Sequence, residues 1–453
     1  MIGIFRRILT FGCCGSLVVG SIAIFCFCAG RSADAADAGY GIGYSFERDS
    51  NLALTSSNQR ADSINSPILG LGYRQSGSDL AANIVAFGQY NDYWSKVYPD
   101  GPLYYANATG LLGLFHRRLT WSVDDQYREL QPIPTVAATP GNRVGVNSVS
   151  TGPDLSLREG IDTFVLGARY GDYTAQGQST NNSSYGGYLR WLHDVSETTQ
   201  LILGYYGSKI KFRDTVDNVN YGLQMVTAGL ERRDPNSRVR LEAGGTRYDP
   251  VIGAASSKPM LEASWRYLPT QNSTAGLSYQ AEYSTPGAEI MAQAAAAAPT
   301  RGSVPPPSVP ITYIANGSTF YLKQTEGFYA VRAGVLGGGI SVFHADSNYE
   351  VNSLLSTEQE GGHIDGSYFS GQVFSVTAYV DYVRTRYPGL VPLRTDRDRI
   401  GGMLFRYRLS PRVSAAVAVS RTVQTSTDSQ ASYADNSILF TVFYASVPWL
   451  SVP

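Results

Sequence analysis

The sequence predicts a single all-β domain, a transmembrane antiparallel up-and-down β-barrel of about 18 strands, with 16 as the fallback. Three observations predict it. Apolar and polar residues alternate with period two in segment after segment from residue 39 onward. The connections alternate between short turns and long polar loops. After residue 38 there is no uninterrupted apolar run long enough for a membrane-spanning helix, which leaves a closed barrel as the spanning structure that satisfies its own backbone. Composition agrees: 31 Tyr and 47 Gly accompany only 16% charged residues, against roughly 25% in ordinary soluble domains. The net charge of −1 offers no basic footprint for nucleic acid.

The N-terminal stretch comes first. Arg6 and Arg7 precede the uncharged apolar run Phe11–Ala29, and the small-x-small patterns Ala33-Asp34-Ala35 and Ala36-Asp37-Ala38 follow. That three-part order predicts a secretory signal peptide over 1–38, cleaved after Ala35 or Ala38, in preference to a permanent helix. All four cysteines (Cys13, Cys14, Cys26 and Cys28) fall inside it. The mature chain would therefore enter an oxidising compartment with no thiol to cross-link.

The strands of 39–453 follow. Val239, Leu241 and Ala243 share one face while Arg238, Arg240 and Glu242 share the other. Leu261, Ala263, Trp265 and Tyr267 oppose Glu262, Ser264 and Arg266. Ala275, Leu277, Tyr279, Ala281 and Tyr283 oppose Gly276, Ser278, Gln280 and Glu282. Met403, Phe405, Tyr407 and Leu409 oppose Leu404, Arg406 and Arg408; Leu119, Trp121 and Val123 oppose Thr120, Ser122 and Asp124. Only an extended strand separates these sets. A soluble sandwich would also alternate, but here the apolar faces end in Trp121, Trp191, Trp265, Tyr267 and Tyr283, where an interfacial girdle would sit.

Short turns are expected at His116–Arg118, Asp194–Thr198, Arg233–Ser237, Leu268–Asn272 and Leu409–Pro411. Long loops are expected at Gln131–Val146, Tyr173–Ser184, Asp249–Ser257 and Thr285–Pro310. In an outer membrane the turns would be periplasmic and the loops extracellular. Some 18 or 19 candidate strands emerge, and an even number is usual. Ser318–Val331, Ala333–Asn348 and Ser367–Arg386 break the rhythm, and Ser347–Ile364 reads as a long loop. The Ala/Pro-rich loop 285–310 reads as exposed and mobile; a constriction or plug inside the lumen is the sharper alternative.

The first strand Gly39–Asn51, the pair joined at Arg117-Arg118 with Arg118–Leu130, and Asn142–Arg158 resemble the beta-barrel porin type 2 group of outer-membrane proteins. The resemblance is closest to those found beside exopolysaccharide and PEP-CTERM (exosortase) systems. It implies passage or export of polymer across the outer membrane. The chain departs from many outer-membrane barrels at its end: Ser437–Tyr444 is followed by Ala445–Pro453, which displaces the terminal aromatic inward.

No constellation for catalysis, metal or cofactor emerges. His116 and His193 fall at short turns, His363 in a loop, and His344 in a strand with Ser341 three residues before it, hence on the opposite face. In Arg394–Arg399 the acids Asp396 and Asp398 are flanked by Arg, a poor metal site that reads as a solvated strand end or loop. Arg169, Arg190, Arg238, Arg240, Glu242, Glu262, Arg266, Glu282, Arg406 and Arg408 are the candidate lumen-facing residues; Asp124, Tyr188 and Tyr206 join them in the same register. The expected function is a porin-like channel or export conduit in the outer membrane of a Gram-negative-type bacterium, with polysaccharide or small solutes as cargo. Its partners would be outer-membrane lipid and the barrel-assembly machinery. The alternative is a structural or adhesive surface barrel with a closed lumen, acting through its loops. An enzyme is not expected.

Overall fold

The computed structural model describes residues 36–216, 218–290, 315–371 and 373–450. Twenty strands follow one another along the chain. These are β1 (Ala36–Asp49), β2 (Asp62–Ser76), β3 (Leu80–Tyr93), β4 (Gly101–Leu114), β5 (Leu119–Leu130), β6 (Val144–Glu159) and β7 (Asp162–Ala175). Then come β8 (Asn182–Asp194), β9 (Thr199–Phe212), β10 (Tyr221–Asp234), β11 (Ser237–Pro250), β12 (Ser256–Thr270), β13 (Ser273–Ser284) and β14 (Phe320–Ala333). The last six are β15 (Leu336–Tyr349), β16 (Thr357–Ser370), β17 (Phe374–Tyr387), β18 (Arg394–Ser410), β19 (Val413–Ser426) and β20 (Tyr433–Ala445). Each pairs antiparallel with its neighbours in sequence, and β1 closes on β20 from Gly41↔Ala445 to Asp49↔Ser437. A closed antiparallel sheet has no free edge.

The count is 20 rather than 18 or 16. The difference lies where the alternation fails: 320–387 holds four strands, and the segment Ser347–Ile364, expected as a loop, contains the start of β16. That strand (TEQEGGHIDGSYFS) carries polar groups on both faces and so shows no apolar period. Its pairing is held by cross-strand charge instead, Arg384 to Glu360 and Arg386 to Glu358, each at 2.8 Å. His363 accordingly lies within a strand and not in a loop.

One rim is closed by connections of two to four residues and the other by connections of five to thirty-five. The two-residue turns use glycine where the backbone must enter the left-handed region, as at Gly160 (φ 60°) and Gly334 (φ 62°). No helix of the described residues is long and apolar enough to cross a membrane.

The faces are inverted relative to a soluble sheet. Leu241 is 48% exposed while the next residue, Glu242, is 5% exposed. Ile42, Leu166, Val226, Leu277 and Val380 are likewise exposed, as are Trp121, Trp265 and Tyr267. Charged groups line the concave side: Arg190 of β8 reaches Glu242 of β11 across two intervening strands at 3.3 Å, a contact that only the inner face of a curved wall permits.

At the short-turn rim the interior of β1–β3 is filled by the chain's own C-terminal segment. Phe443, Ala445 and Leu450 cluster with Ile68 and Phe87, and Val447 and Trp449 pack against them. Glycines make the room. A Cβ at Gly41 would lie 2.1 Å from the Phe443 ring, and one at Gly72 would lie 2.5 Å from Trp449. Trp449 Nε1 donates to Asp37 at 2.5 Å, and Arg74 stacks 4.6 Å above its ring.

Candidate functional site: the lumen and its mouth

The inner wall is built from alternate residues of successive strands, which turn polar groups to the concave side. Arg169 pairs with Asp154 at 2.6 Å over the ring of Tyr188, and Tyr188 also hydrogen-bonds Asp154. Arg240 contacts Glu242 at 2.5 Å and Glu262 at 3.4 Å, so Glu242 is shared with Arg190. Arg238 pairs with Glu231 at 2.7 Å. Glu282 accepts from Gln280 at 2.7 Å. Arg266 lies opposite Arg238 in the β11–β12 ladder. Arg406 and Arg408 are exposed near the short-turn rim. Asp124 shares the inner face in β5, and Tyr206 sits opposite Tyr188. The structure thus joins Arg190, Arg240, Glu242 and Glu262 into one network and leaves Arg406 and Arg408 apart from it.

The mouth at the long-loop rim is crossed from two directions. The β12–β13 ladder stops at Leu261↔Ala281, although β12 stays paired with β11 up to Ser256 and β13 with β14 up to Ser284. Above that point the β13–β14 tip leaves the wall and folds inward. Ala281, Tyr283 and Tyr321, which share strand parity with the exposed Leu277, instead bury against the inward-facing Ile210, Phe212, Tyr221, Leu223 and Tyr248. The rings form a continuous row from Phe212 through Tyr221, Tyr248 and Tyr283 to Tyr321, with centroids 5.0 to 6.0 Å apart. Tyr283 is therefore part of this row and not of an outer girdle.

A latch spans the gap in the wall. Lys258 of β12 pairs with Glu350, in the loop after β15, at 2.5 Å. The Tyr283 hydroxyl donates to the same carboxylate at 2.7 Å, and Tyr321 donates to the Pro259 carbonyl at 2.8 Å. The Lys258 ammonium lies 5.2 Å and 4.8 Å from the Tyr283 and Tyr321 rings, within cation–π range.

Beyond the tip the chain reaches β5–β8. Residues 286–290 form a short helical turn. Gly287 accepts from Ser148 Oγ at 3.3 Å, and Ile290 and Ala315 pack with Val146, Tyr173 and Ala175. Returning, the Ala315 N–H donates to the Gln131 carbonyl at 2.7 Å and the Gly317 N–H to Thr180 Oγ1 at 2.9 Å. The described start of the loop expected at 285–310, residues 285–290, and the segment from Ala315 that follows it thus lie folded against the inner wall; the Ala/Pro-rich part of the loop lies outside the described residues. The loop 131–143 crosses the other way: Tyr387 donates to the Pro134 carbonyl at 3.0 Å and Arg394 to the Thr135 carbonyl at 2.6 Å.

Under that second crossing lies a cavity of about 260 Å³ of mixed lining, with Arg394, Asp396 and Asp398 beside Val136, Leu355 and Val383. Asp396 is buried and accepts from Arg394 and Ser426. The segment Arg394–Arg399 is therefore the start of β18, with its acids turned inward and Arg397 and Arg399 outward, not a solvated strand end. Its period-two order of acid and base was the signal in the sequence that could have located this cavity.

Two other groupings bear on chemistry. His363 holds Asp381 at 2.6 Å through Nδ1 and Asp365 at 3.2 Å through Nε2, which leaves neither nitrogen for Ser341 opposite it. On the outer face, His344, Glu358 and Glu360 bring possible ligand atoms within 4.8 Å of one another. Arg384 and Arg386 already pair with the two glutamates there.

No protein-family model matches the chain, and no curated protein matches it. Solved structures of similar shape include the FrpB iron transporter of Neisseria meningitidis, at 10% identity and a TM-score of 0.45 over 92% of this chain and 82% of that one. A variant of the ferric enterobactin receptor PfeA of Pseudomonas aeruginosa, in complex with enterobactin, is 10% identical with a TM-score of 0.48 over 91% and 82%. OccAB4 of Acinetobacter baumannii is 9% identical with a TM-score of 0.41 over 91% and 99%.

Proposed function

We propose that the protein is an outer-membrane channel for polar solutes whose lumen is closed at rest by its own β13–β14 tip and loops. One observation carries this reading: a polar inner wall lies beneath a mouth crossed from two sides by segments held through hydrogen bonds and rings. The exposed apolar outer face is stable only against lipid, and a closed barrel is the one sheet that lipid tolerates. Porins of 16–18 strands already enclose an aqueous channel, so 20 strands enclose a wide space that these segments narrow. Tyrosines, amides and paired charges suit hydroxyl-rich solutes, and a polysaccharide is the cargo we favour. The short turns would then face the periplasm and the long loops the exterior. Both nitrogens of His363 are held by carboxylates and away from Ser341, and the reading includes no enzymatic step. Secretion would use cleavage after Ala35, because cleavage after Ala38 would remove three residues that pair with β2.

The second reading, a structural barrel with a sealed lumen, draws on the same crossing of the mouth. Planar-bilayer conductance separates the two. Brief openings of the wild type, converted to steady conductance by deleting 286–318, support the channel. Silence from the deleted, heat-modifiable barrel would leave the structural reading.

A further inference from the structure

The outer face of β17–β19 carries charges that the transport reading does not use. Arg397 and Arg399 alternate outward from β18, and Arg421 projects outward from β19 opposite Gly401. All three are exposed, and none has an ion-pair partner among the described residues. Arg397 also lies directly opposite Arg384 of β17. Arg384 already has its anion in Glu360, at 2.8 Å, so the guanidiniums left without a carboxylate among the described residues are those of Arg397, Arg399 and Arg421. Residues two apart on a strand are about 6.8 Å apart, and Arg421 is one diagonal step from Arg399, so the guanidiniums form one compact patch.

The patch borders an apolar surface. Tyr382 stands directly opposite Arg399, and towards the short-turn rim the same outward register continues through Val380, Met403 and Tyr407, all exposed. A ligand complementary to both parts bears anionic groups at the head of apolar chains. Guanidinium binds phosphate in a planar, bidentate fashion that an ammonium cannot reproduce. We infer that the outer face of β17–β19 is a docking site for the phosphorylated headgroup of a lipid of the surrounding leaflet. The acyl chains lie along Val380 and Met403, and Arg397, Arg399 and Arg421 grip the phosphate. This inference rests on the reading of the barrel as membrane-spanning.

The test uses the full mature chain folded into phosphatidylcholine nanodiscs containing a minor fraction of lipid A, followed by native mass spectrometry of co-purified lipid. Wild type retains lipid A. A variant carrying Arg397→Gln, Arg399→Gln and Arg421→Gln loses retention on the order of a hundredfold, since each arginine near a charged lipid surface contributes roughly a fivefold factor. The corresponding triple Lys variant recovers only part. Equal retention by wild type and Gln variant, both inserted and heat-modifiable, overturns the inference while leaving the spanning reading intact. Failure of the wild type to insert at all overturns the spanning reading instead. Displacement of lipid A by inorganic phosphate alone, at concentrations that leave the barrel folded, would mean a general anion site and also overturn it.

Discussion

If the inward-folded tip closes the lumen, shortening Tyr283 should open it. Its ring is buried between Tyr248 and Tyr321, at 5.9 and 5.5 Å, and its hydroxyl donates to Glu350 at 2.7 Å beside the Lys258 ammonium. Truncating a buried aromatic to Ala costs about 3–5 kcal/mol where its contacts are fully made. All of these contacts belong to the folded-in state, so Tyr283→Ala shifts the closed–open balance by about 3 kcal/mol, roughly a hundredfold in open probability. Tyr283→Phe keeps the ring and loses only the hydroxyl bonds, a change of about 1.5 kcal/mol and on the order of tenfold. Single-channel recording of refolded protein reads the order directly: wild type lowest, Phe intermediate, Ala highest. Heat-modifiability serves as the check that each variant is a folded barrel. A wild type that is steadily open, or an Ala variant with unchanged openings while deletion of 286–318 conducts, would refute the assignment of closure to the tip.

Three further outcomes are expected. Glu242→Gln leaves Arg190 and Arg240 without their shared carboxylate. In the 286–318 deletion background its reversal potential in a salt gradient should move towards chloride, by up to about fivefold in permeability ratio, the factor for ~1 kcal/mol of short-range Coulomb energy in water. Gly41→Val places a methyl-bearing carbon where the Phe443 ring stands. It should cost about 1–3 kcal/mol in denaturant unfolding from vesicles, with most of the loss recovered when Phe443→Ala is added. N-terminal sequencing of the secreted protein should begin at Ala36; a start at Gly39 would mean that β1 is shortened in the mature barrel.

The barrel was legible because most strands obey one rule on both faces. In β11 and β12 Val239, Leu241, Ala263 and Trp265 alternate with Arg240, Glu242, Glu262 and Arg266, and over these stretches one chemical period suffices to read the strand and its inward face. In β16 the rule fails: Glu358 and Glu360 stand where apolar residues are expected, since their partners Arg384 and Arg386 lie on β17, remote in sequence. A strand stabilised by cross-strand charge carries its evidence in its neighbour, not in its own period. The same holds for Arg394–Arg399, where alternation was present but the flanking arginines concealed that Asp396 and Asp398 face inward with Arg394 while Arg397 and Arg399 face outward.

The inward fold of the β13–β14 tip was hidden for a different reason. Parity tells which residues share a face of a strand; it does not tell what that face meets. Tyr283 and Tyr321 have the parity of Leu277 and would face lipid in a regular wall. They are buried because the β12–β13 ladder ends at Leu261↔Ala281 and the tip beyond it turns inside. The partners that reward this turn, Tyr221 and Tyr248 on the wall and Ser148 and Thr180 on the far side, are spread over more than a hundred residues of sequence. None of them is unusual in its own strand or, for Thr180, in its connection. An inward fold of this kind needs room, which a barrel of 20 strands supplies, and polar anchors at the end of its reach. The Ser148–Gly287 and Thr180–Gly317 bonds provide those anchors through glycine backbone, where the absence of a Cβ lets the chain lie close: a Cβ at Gly317 would come 2.1 Å from the Thr180 carbonyl.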